Sequence, residues 1–348
     1  ASHPDYKLEW WYYTGNLDGP QGERFGFQLT FFRVGVDPTP ANRSRWAIRD
    51  LFMTHLALTD VNGRRYLFTE RLNRPGPGWA GADTDRYRVW NEDWEATLDN
   101  DSRQVSRGEI ATHHLKASGR SSATSASGDD AVPFALDLLL DEAMPPALHG
   151  DRGYSRKGTD PGNASHYYSL TRMPTRGTVM VDGERFTVTG ETWMDHETGT
   201  SFLEPDQRGW DWLSIQLSDN RELMLYQLRR ADGSRDPRSS CTLVDAKGKA
   251  VHLADADFTL TPGRTTFKSP NGAVYPTEWI VRIPSQQLEL TITTPLQDQE
   301  LSLVGSTGVA YWEGMVDVAG KQANGLTGVG YLEMTGYHGS LGRVLSGQ

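Results

Sequence analysis

"RGTVMVDGERFTVTG", residues 176–190, sets two β-rich runs on either side of Asp182-Gly183. Asp and Gly both tolerate the positive φ that a two-residue hairpin turn demands, so the stretch reads as a tight β-hairpin. "FMTHLALTDVNGRRYLFTERL" (52–72) repeats the pattern around Asn62-Gly63, and "WDWLSIQLSDNRELMLYQLRR" (210–230) turns near Asp219-Asn220. Runs of this kind recur from one end to the other, while apolar residues at helical spacing are scarce. The fold class predicted is all-β. Consecutive antiparallel strands at such regular spacing fit up-and-down barrels, which close on themselves and leave no exposed edge.

At 348 residues the chain is long for one core, against roughly 100 to 200 residues per domain. Two domains are expected, 1–200 and 201–348, because the hairpin rhythm restarts at Gly209 after "TWMDHETG". No sequence repeat relates the halves. Two segments interrupt the strands. "GRSSATSASGDDA" (119–131) is small and polar enough for a solvated loop, and "LHGDRGYSRKGTDPGNASHYYSL" (148–170) is a long connection of the kind that forms lids or rims.

Composition excludes several classes. A net charge of -10 with scattered Lys and Arg gives no footprint for nucleic acid. No run approaches the roughly 18 apolar residues of a spanning helix. The start, "ASHPDYKLEW", carries neither an initiator Met nor a signal peptide's apolar region, which fits either a removed signal or a trimmed sequence; a periplasmic or secreted location is the expectation consistent with the first. The single Cys241 rules out an intrachain disulfide. "GPGWAG" (76–81) matches G-x-G-x-x-G, but Pro77 sits inside it and no strand-to-helix junction surrounds it. There is no Walker loop, C-x-x-C, H-E-x-x-H or G-x-S-x-G. The nine histidines fall in no ligand spacing, so neither a metal nor a cofactor is expected.

Candidate chemistry concentrates in a few stretches. In "EWWYY" (9–13), a strand sends Trp10 and Tyr12 one way and Glu9, Trp11 and Tyr13 the other. One set would fill a barrel, and the other needs cover that a packed second domain would supply. "GETWMDHETG" (190–199) holds Trp193, Asp195, His196 and Glu197; if extended, Asp195 and Glu197 share one face and His196 with Met194 the other. A carboxyl buried beside rings becomes a proton donor, and His titrates near neutrality unaided. His196 with Asp195 is the leading catalytic pair, helped by Glu197 or by Tyr168 of "SHYYSLTRM". In "GWDWLSIQL" (209–217), Trp210 and Trp212 lie opposite Leu213, Ile215 and Leu217, as on a cavity-lining strand. "GYLEMTGY" (330–337) puts Tyr331, Glu333, Thr335 and Tyr337 on one face. Trp10, Trp11, Tyr12, Trp193, Trp210, Trp212, Glu333 and Tyr337 are the ligand-contact candidates, with core packing or domain-tying hydrogen bonds as the alternative.

Six ordered blocks, "HPDYKLEWWYYTGNL", "FGFQLTFFR", "LHGDRGYSRKG" leading into "YYSLTRM", "GETWMDHE", "GWDWLSIQL" and "GYLEMTGY", resemble the lipocalin-like family that contains carotenoid 1,2-hydratase and the AttH-type secreted hydrolases. The resemblance implies two lipocalin-like (calycin) barrels packed together, with a ligand region between or within them. It implies a hydrophobic, isoprenoid- or lipid-like small molecule as ligand and acid-base chemistry of the hydratase or hydrolase kind. The alternative it carries is a non-catalytic envelope carrier, or an accessory to a membrane-associated ABC-type transporter. The histidine of the hydratases' D-H-x-W stretch falls on His196, but Thr198 stands at the tryptophan position. Leu228 stands where those hydratases have an Asp two residues after a Tyr, here Tyr226.

Overall fold

The structure, a computed structural model, describes residues 1–37, 44, 46–99, 110–121, 131–201, 203–303, 309–321 and 325–339. The polar loop expected at 119–131 falls mostly outside the described residues. The chain divides into two compact units. The first is Ala1–Pro145 with Tyr168–Thr200, and the second is Pro146–Tyr167 with Ser201–Gln348. A single cut at residue 200 misses this exchange of a segment. Pro146–Tyr167 belongs with the second unit because its bonds are there: Gln207 Nε2 donates to Lys157 O at 2.8 Å and Trp212 Nε1 to the Tyr167 hydroxyl at 3.0 Å. His149 Nδ1 also lies 2.9 Å from Thr242 Oγ1.

Among the described residues the regular structure is strand, with two short 3-10 turns at Asp255–Asp257 and Pro284–Gln286. The all-β expectation holds, as does the two-barrel one. The first unit opens with four long strands, β1 (Leu8–Asp18), β2 (Arg24–Gly35), β3 (Asp50–Asp60) and β4 (Arg65–Asn73). Shorter ones follow: β5 (Ala80–Ala82), β6 (Arg88–Asn91), β7 (Trp94–Leu98), β8 (Thr112–Ser121) and β9 (Val132–Asp141). After β10 (Ala147–Leu148) and β11 (Tyr154–Arg156) in the second unit, β12 (Ala164–Val181) returns the chain to the first, and β13 (Glu184–Gly199) completes it. The sheet order is β4-β3-β2-β1-β13-β12-β9-β8-β7-β6-β5, all antiparallel where the register is given.

First and last strands therefore pair, with Trp11 opposite His196 and Tyr13 opposite Met194. The open edge curls round until β4 meets β8, where the Phe68 N–H donates to Ser121 Oγ at 3.3 Å. Arg71 stacks over Trp94 at 4.3 Å and donates to Asn91 O at 2.9 Å, so a cation and a ring seal what backbone pairing does not. Trp11, Tyr13, Phe25, Phe27, Phe31 and Met194 fill the interior, all buried. Each such side chain stabilises the fold by about 1.5–3 kcal/mol.

The second unit runs through β14 (Gln207–Leu217), β15 (Glu222–Arg230), β16 (Ser240–Val244), β17 (Ala250–Ala254) and β18 (Thr259–Pro262). It continues with β19 (Thr266–Lys268), β20 (Val274–Pro276), β21 (Glu278–Ile283) and β22 (Leu288–Thr293), then β23 (Glu300–Leu303), β24 (Val309–Gly320) and β25 (Thr327–Met334). Again the first strand pairs with the last, in the order β17-β16-β15-β14-β25-β24-β22-β21-β18, a half-barrel around Leu213, Ile215, Trp279 and Trp312.

The hairpins form by different turn chemistry. Asp182 and Gly183 have φ of 55° and 84°, the two-residue turn read from the sequence. At Asn62-Gly63 the loop is longer: Asp60 Oδ1 accepts the Gly63 N–H at 2.8 Å, and Arg64, not the glycine, takes the left-handed conformation.

His55 sits on β3 opposite in face to Leu56, 1% exposed and edge-on to Phe32 at 5.2 Å. Burial lowers its pKa from 6.5 to about 3. The unfolded chain then binds a proton below about 6.5 that the folded chain refuses, so stability falls by about 1.4 kcal/mol per pH unit from there down to about 3. Urea titrations between pH 7 and 4 should show this slope reduced in His55→Gln by one proton's share.

Candidate functional site

Inside the first barrel, alternation on β1 and β13 brings Glu9, Trp11 and His196 to one face. His196 Nε2 lies 2.9 Å from Glu9 Oε1, and His196 Nδ1 lies 3.1 Å from the Tyr168 hydroxyl. The Trp11 ring stacks on the imidazole at 5.3 Å and 17°, and Tyr168 meets it edge-on at 5.3 Å. The Glu9–His196 pair is withdrawn from water, with Glu9 0% exposed and His196 3%, while Tyr168 is half-buried.

Glu9 is the hub. Its oxygens accept from Ser2 Oγ at 2.7 Å, from the His3 N–H at 3.0 Å and from Arg33 Nε at 3.1 Å, besides His196. Burial pushes the carboxyl up, but the hydrogen bonds it accepts from His196, Ser2 and the His3 N–H outweigh it and hold Glu9 below the usual range. Burial lowers His196, and Glu9 only partly opposes the shift, so the imidazole is neutral at pH 7. A carboxylate at Nε2 fixes the proton there. Nδ1 is then the acceptor and the Tyr168 O–H the donor. Burial raises the Tyr168 pKa strongly, with Glu142 and Glu9 adding to it, so the phenol keeps its proton. A group that protonates the Tyr168 oxygen can push the phenol's own proton onto Nδ1, leaving an imidazolium beside the Glu9 carboxylate.

The N-terminal segment straps the mouth above this chain. Ser2 N donates to Asp83 O at 2.8 Å, and Arg33 Nη2 donates to the His3 and Tyr6 carbonyls at 3.0 and 2.6 Å. Beside the strap lies a groove of about 380 Å³, walled by Ser2, Arg33, Asp50, Phe52, the Pro75–Gly78 turn and Trp90. Two of these, Ser2 and Arg33, bond Glu9 directly. Neither His196 nor Tyr168 lines the groove.

The structure brings together His196, Tyr168 and Trp11 from the sequence candidates, and adds Glu9 and Arg33. It separates Asp195 and Glu197 from them, as alternation requires for an extended segment. Asp195 faces the other side of β13, where it accepts from Trp193 Nε1 at 2.6 Å and from Ser169 Oγ. The pairing of His196 with Asp195 is therefore replaced by His196 with Glu9. Trp10 lies on that other face too, edge-on to Phe32 at 6.3 Å, with Tyr12 buried one step along. The sequence signal for Glu9 was its shared face with Trp11 at the start of the first strand.

The remaining candidates sit in the second unit. Trp210 Nε1 donates to Glu333 Oε2 at 2.8 Å, and Trp212 lies beside Tyr226 across β14 and β15. Tyr337 does not share the Glu333 face. β25 ends at Met334 and Gly336 takes φ 74°, which breaks the alternation and turns Tyr337 to the core side, its hydroxyl donating to Asp211 Oδ1 at 2.9 Å. Asp211, 0% exposed, is also 3.1 Å from Arg229 Nε. Among the described residues no three His, Cys, Asp or Glu side chains form a metal-binding group.

A nearly closed antiparallel barrel and an antiparallel half-barrel, each with its first strand paired to its last, define a two-domain lipocalin-like protein. The AttH-like family profile matches residues 1–337, and the chain belongs to that family. A candidate AttH from Nitrosomonas europaea superposes with a TM-score of 0.81 at 32% identity, over 97% of this chain and 95% of that one. Kievitone hydratase from Nectria haematococca gives 0.68 at 15% identity, over 94% and 88%, and CghA with Sch210972 gives 0.53 at 12%, over 96% and 90%. The latter two likenesses concern the fold. No curated protein sequence matches the chain.

Removing the hub's charge leaves Arg33, 3% exposed, with one of its two carboxylates. Glu9→Gln should destabilise the protein by about 3–5 kcal/mol, as breaking a buried pair does, read from urea unfolding at pH 7.

Proposed function

We propose that the first barrel is an acid-base site for a hydrophobic small molecule, with Tyr168 as the group that touches the substrate. His196 takes or returns the phenol's proton and Glu9 holds the imidazole in the required tautomer and stabilises its protonated form. The observation that carries this reading is the unbroken Glu9–His196–Tyr168 chain among aromatic rings: a carboxylate, a neutral base and a protonated acid in order, each within hydrogen-bond reach. Addition of water across a carbon–carbon double bond, or its reverse, is the reaction class favoured. It needs one proton delivered and one removed without a cofactor, and a relative in fold bears the name hydratase. Fold likeness alone does not carry a reaction.

The groove supports a second reading, an apolar-ligand carrier. Phe52, Trp90 and three prolines supply apolar wall, and Arg33 with Asp50 an ion pair at one side. A ligand held there would touch the strap and not Tyr168.

One experiment separates the two. The ligand is taken from lipid extract retained by the purified protein, identified by mass spectrometry, and incubated in H₂¹⁸O. Under the enzyme reading, ¹⁸O enters the product, and both His196→Gln and Tyr168→Phe lose roughly 10²-fold or more in kcat, the range for an acid-base group, while ligand binding persists. Turnover unchanged in both variants rules out this site. No turnover by the wild type, with binding lost only in groove variants such as Trp90→Ala, assigns the carrier role.

A further inference from the structure

The same barrel holds a second carboxylate–imidazole–phenol chain that the reading above leaves unused. His113 Nε2 lies 2.8 Å from Glu142 Oε1, His113 Nδ1 lies 2.9 Å from the Tyr13 hydroxyl, and that hydroxyl is hydrogen-bonded to the hydroxyl of Tyr87. The order of groups and the nitrogens used are those of Glu9–His196–Tyr168. The Tyr87 ring packs 4.7 Å from His113, and Tyr13 meets it edge-on at 5.9 Å.

The two chains differ at their carboxylate ends. Glu9 is 0% exposed and sealed by Ser2, His3 and Arg33, whereas Glu142 is 31% exposed, next to a His113 that is 2% exposed. Their phenol ends lie in one interior. Tyr13 stands two residues beyond Trp11 on the inner face of β1, roughly 7 Å along the strand from the ring stacked on His196. Burial keeps Tyr13, Tyr87 and Tyr168 protonated, and the charge of Glu142 bears on all three.

We propose that Glu142, His113, Tyr13 and Tyr87 form the proton port through which the Tyr168–His196 pair exchanges protons with solvent. The proposal rests on reading Tyr168 and His196 as the acid-base pair. A proton leaving Tyr168 reaches the Tyr87 oxygen across the interior against which both phenols pack. Tyr87 passes its own proton to the Tyr13 oxygen, Tyr13 passes its own to His113 Nδ1, and His113 releases the Nε2 proton to Glu142 and so to water. Each O–H or N–H bond broken is matched by one formed, one proton moves in total, and no electrons change hands. These four residues act through Tyr168, so they are positioning and relay groups.

The test uses the full chain with no ligand present. The Tyr168 hydroxyl proton, hydrogen-bonded to His196 Nδ1, is assigned by its loss in Tyr168→Phe, and its exchange with water is measured at fixed pH. Glu142→Gln and Tyr13→Phe should each slow that exchange by at least roughly ten-fold, and Glu142→Asp should restore part of the rate. A merely structural defect loosens the barrel and speeds exchange, the opposite direction. An unchanged or faster rate in either variant overturns the port. Because no turnover is involved, slowed exchange alongside an absence of any reaction removes the enzymatic reading and leaves the port standing.

Discussion

A carboxylate with no exposure to water sets the terms at the mouth of the first barrel. An isolated ion there would be several kcal/mol out of balance, and Glu9 is tolerated because Arg33, His196, Ser2 and the His3 N–H all donate to it. The consequences spread from that need. Arg33 is drawn inward, where it also binds Asp50 at 2.8 Å and two carbonyls of the N-terminal segment. The segment is thereby tied down as a strap. His196 is forced to carry its proton on Nε2, which leaves Nδ1 free to polarise Tyr168. One desolvated charge thus fixes a chain end, a tautomer and the direction of a hydrogen-bond relay.

The second unit repeats the arrangement with a different balance. Asp211 on its first strand faces the core, Arg229 on its second strand approaches at 3.1 Å, and Tyr337, just past its last strand, donates at 2.9 Å. Here burial dominates and the carboxyl is pushed up, with Arg229, Tyr337 and Gln227 only partly opposing it. Glu9 has a further ring N–H and a backbone N–H in place of the lone phenol, and the sign of its shift reverses. An inward acid on strand one with an Arg on strand two is thus common to both barrels, although their sequences show no repeat. Only three-dimensional pairing reveals it, because β14 and β15 set Asp211 opposite Gln227 and Gly209 opposite Arg229, one diagonal step away on the same face.

Local chemistry was legible in the sequence and long-range closure was not. Alternation in "WMDHE" and "EWWYY" placed every one of those side chains on the correct face, and Asp182-Gly183 gave the turn with its backbone geometry, since both depend on neighbouring residues alone. The partner of His196 is not legible because it lies 187 positions away, whereas Asp195 adjoins it in sequence and faces the other side of the strand. Tyr337 was misplaced for a different reason: alternation was carried past Met334, beyond the last paired residue, where Gly336 redirects the chain. The exchange of Pro146–Tyr167 into the second unit was equally invisible, being fixed by contacts to Gln207, Trp212 and Thr242 rather than by composition.

Both positions that depart from the hydratase pattern lie on strands. Thr198, at the position of the D-H-x-W tryptophan, lies on the inner face of β13 directly opposite Glu9. Leu228, at the position of the expected Asp, is buried on β15 opposite Trp210. The acid at His196 Nε2 is Glu9, from the same barrel. The inner face of β13 thus carries a short side chain at Thr198 beside Glu9, and Glu9, His196 and Tyr168 follow one another by hydrogen bonds.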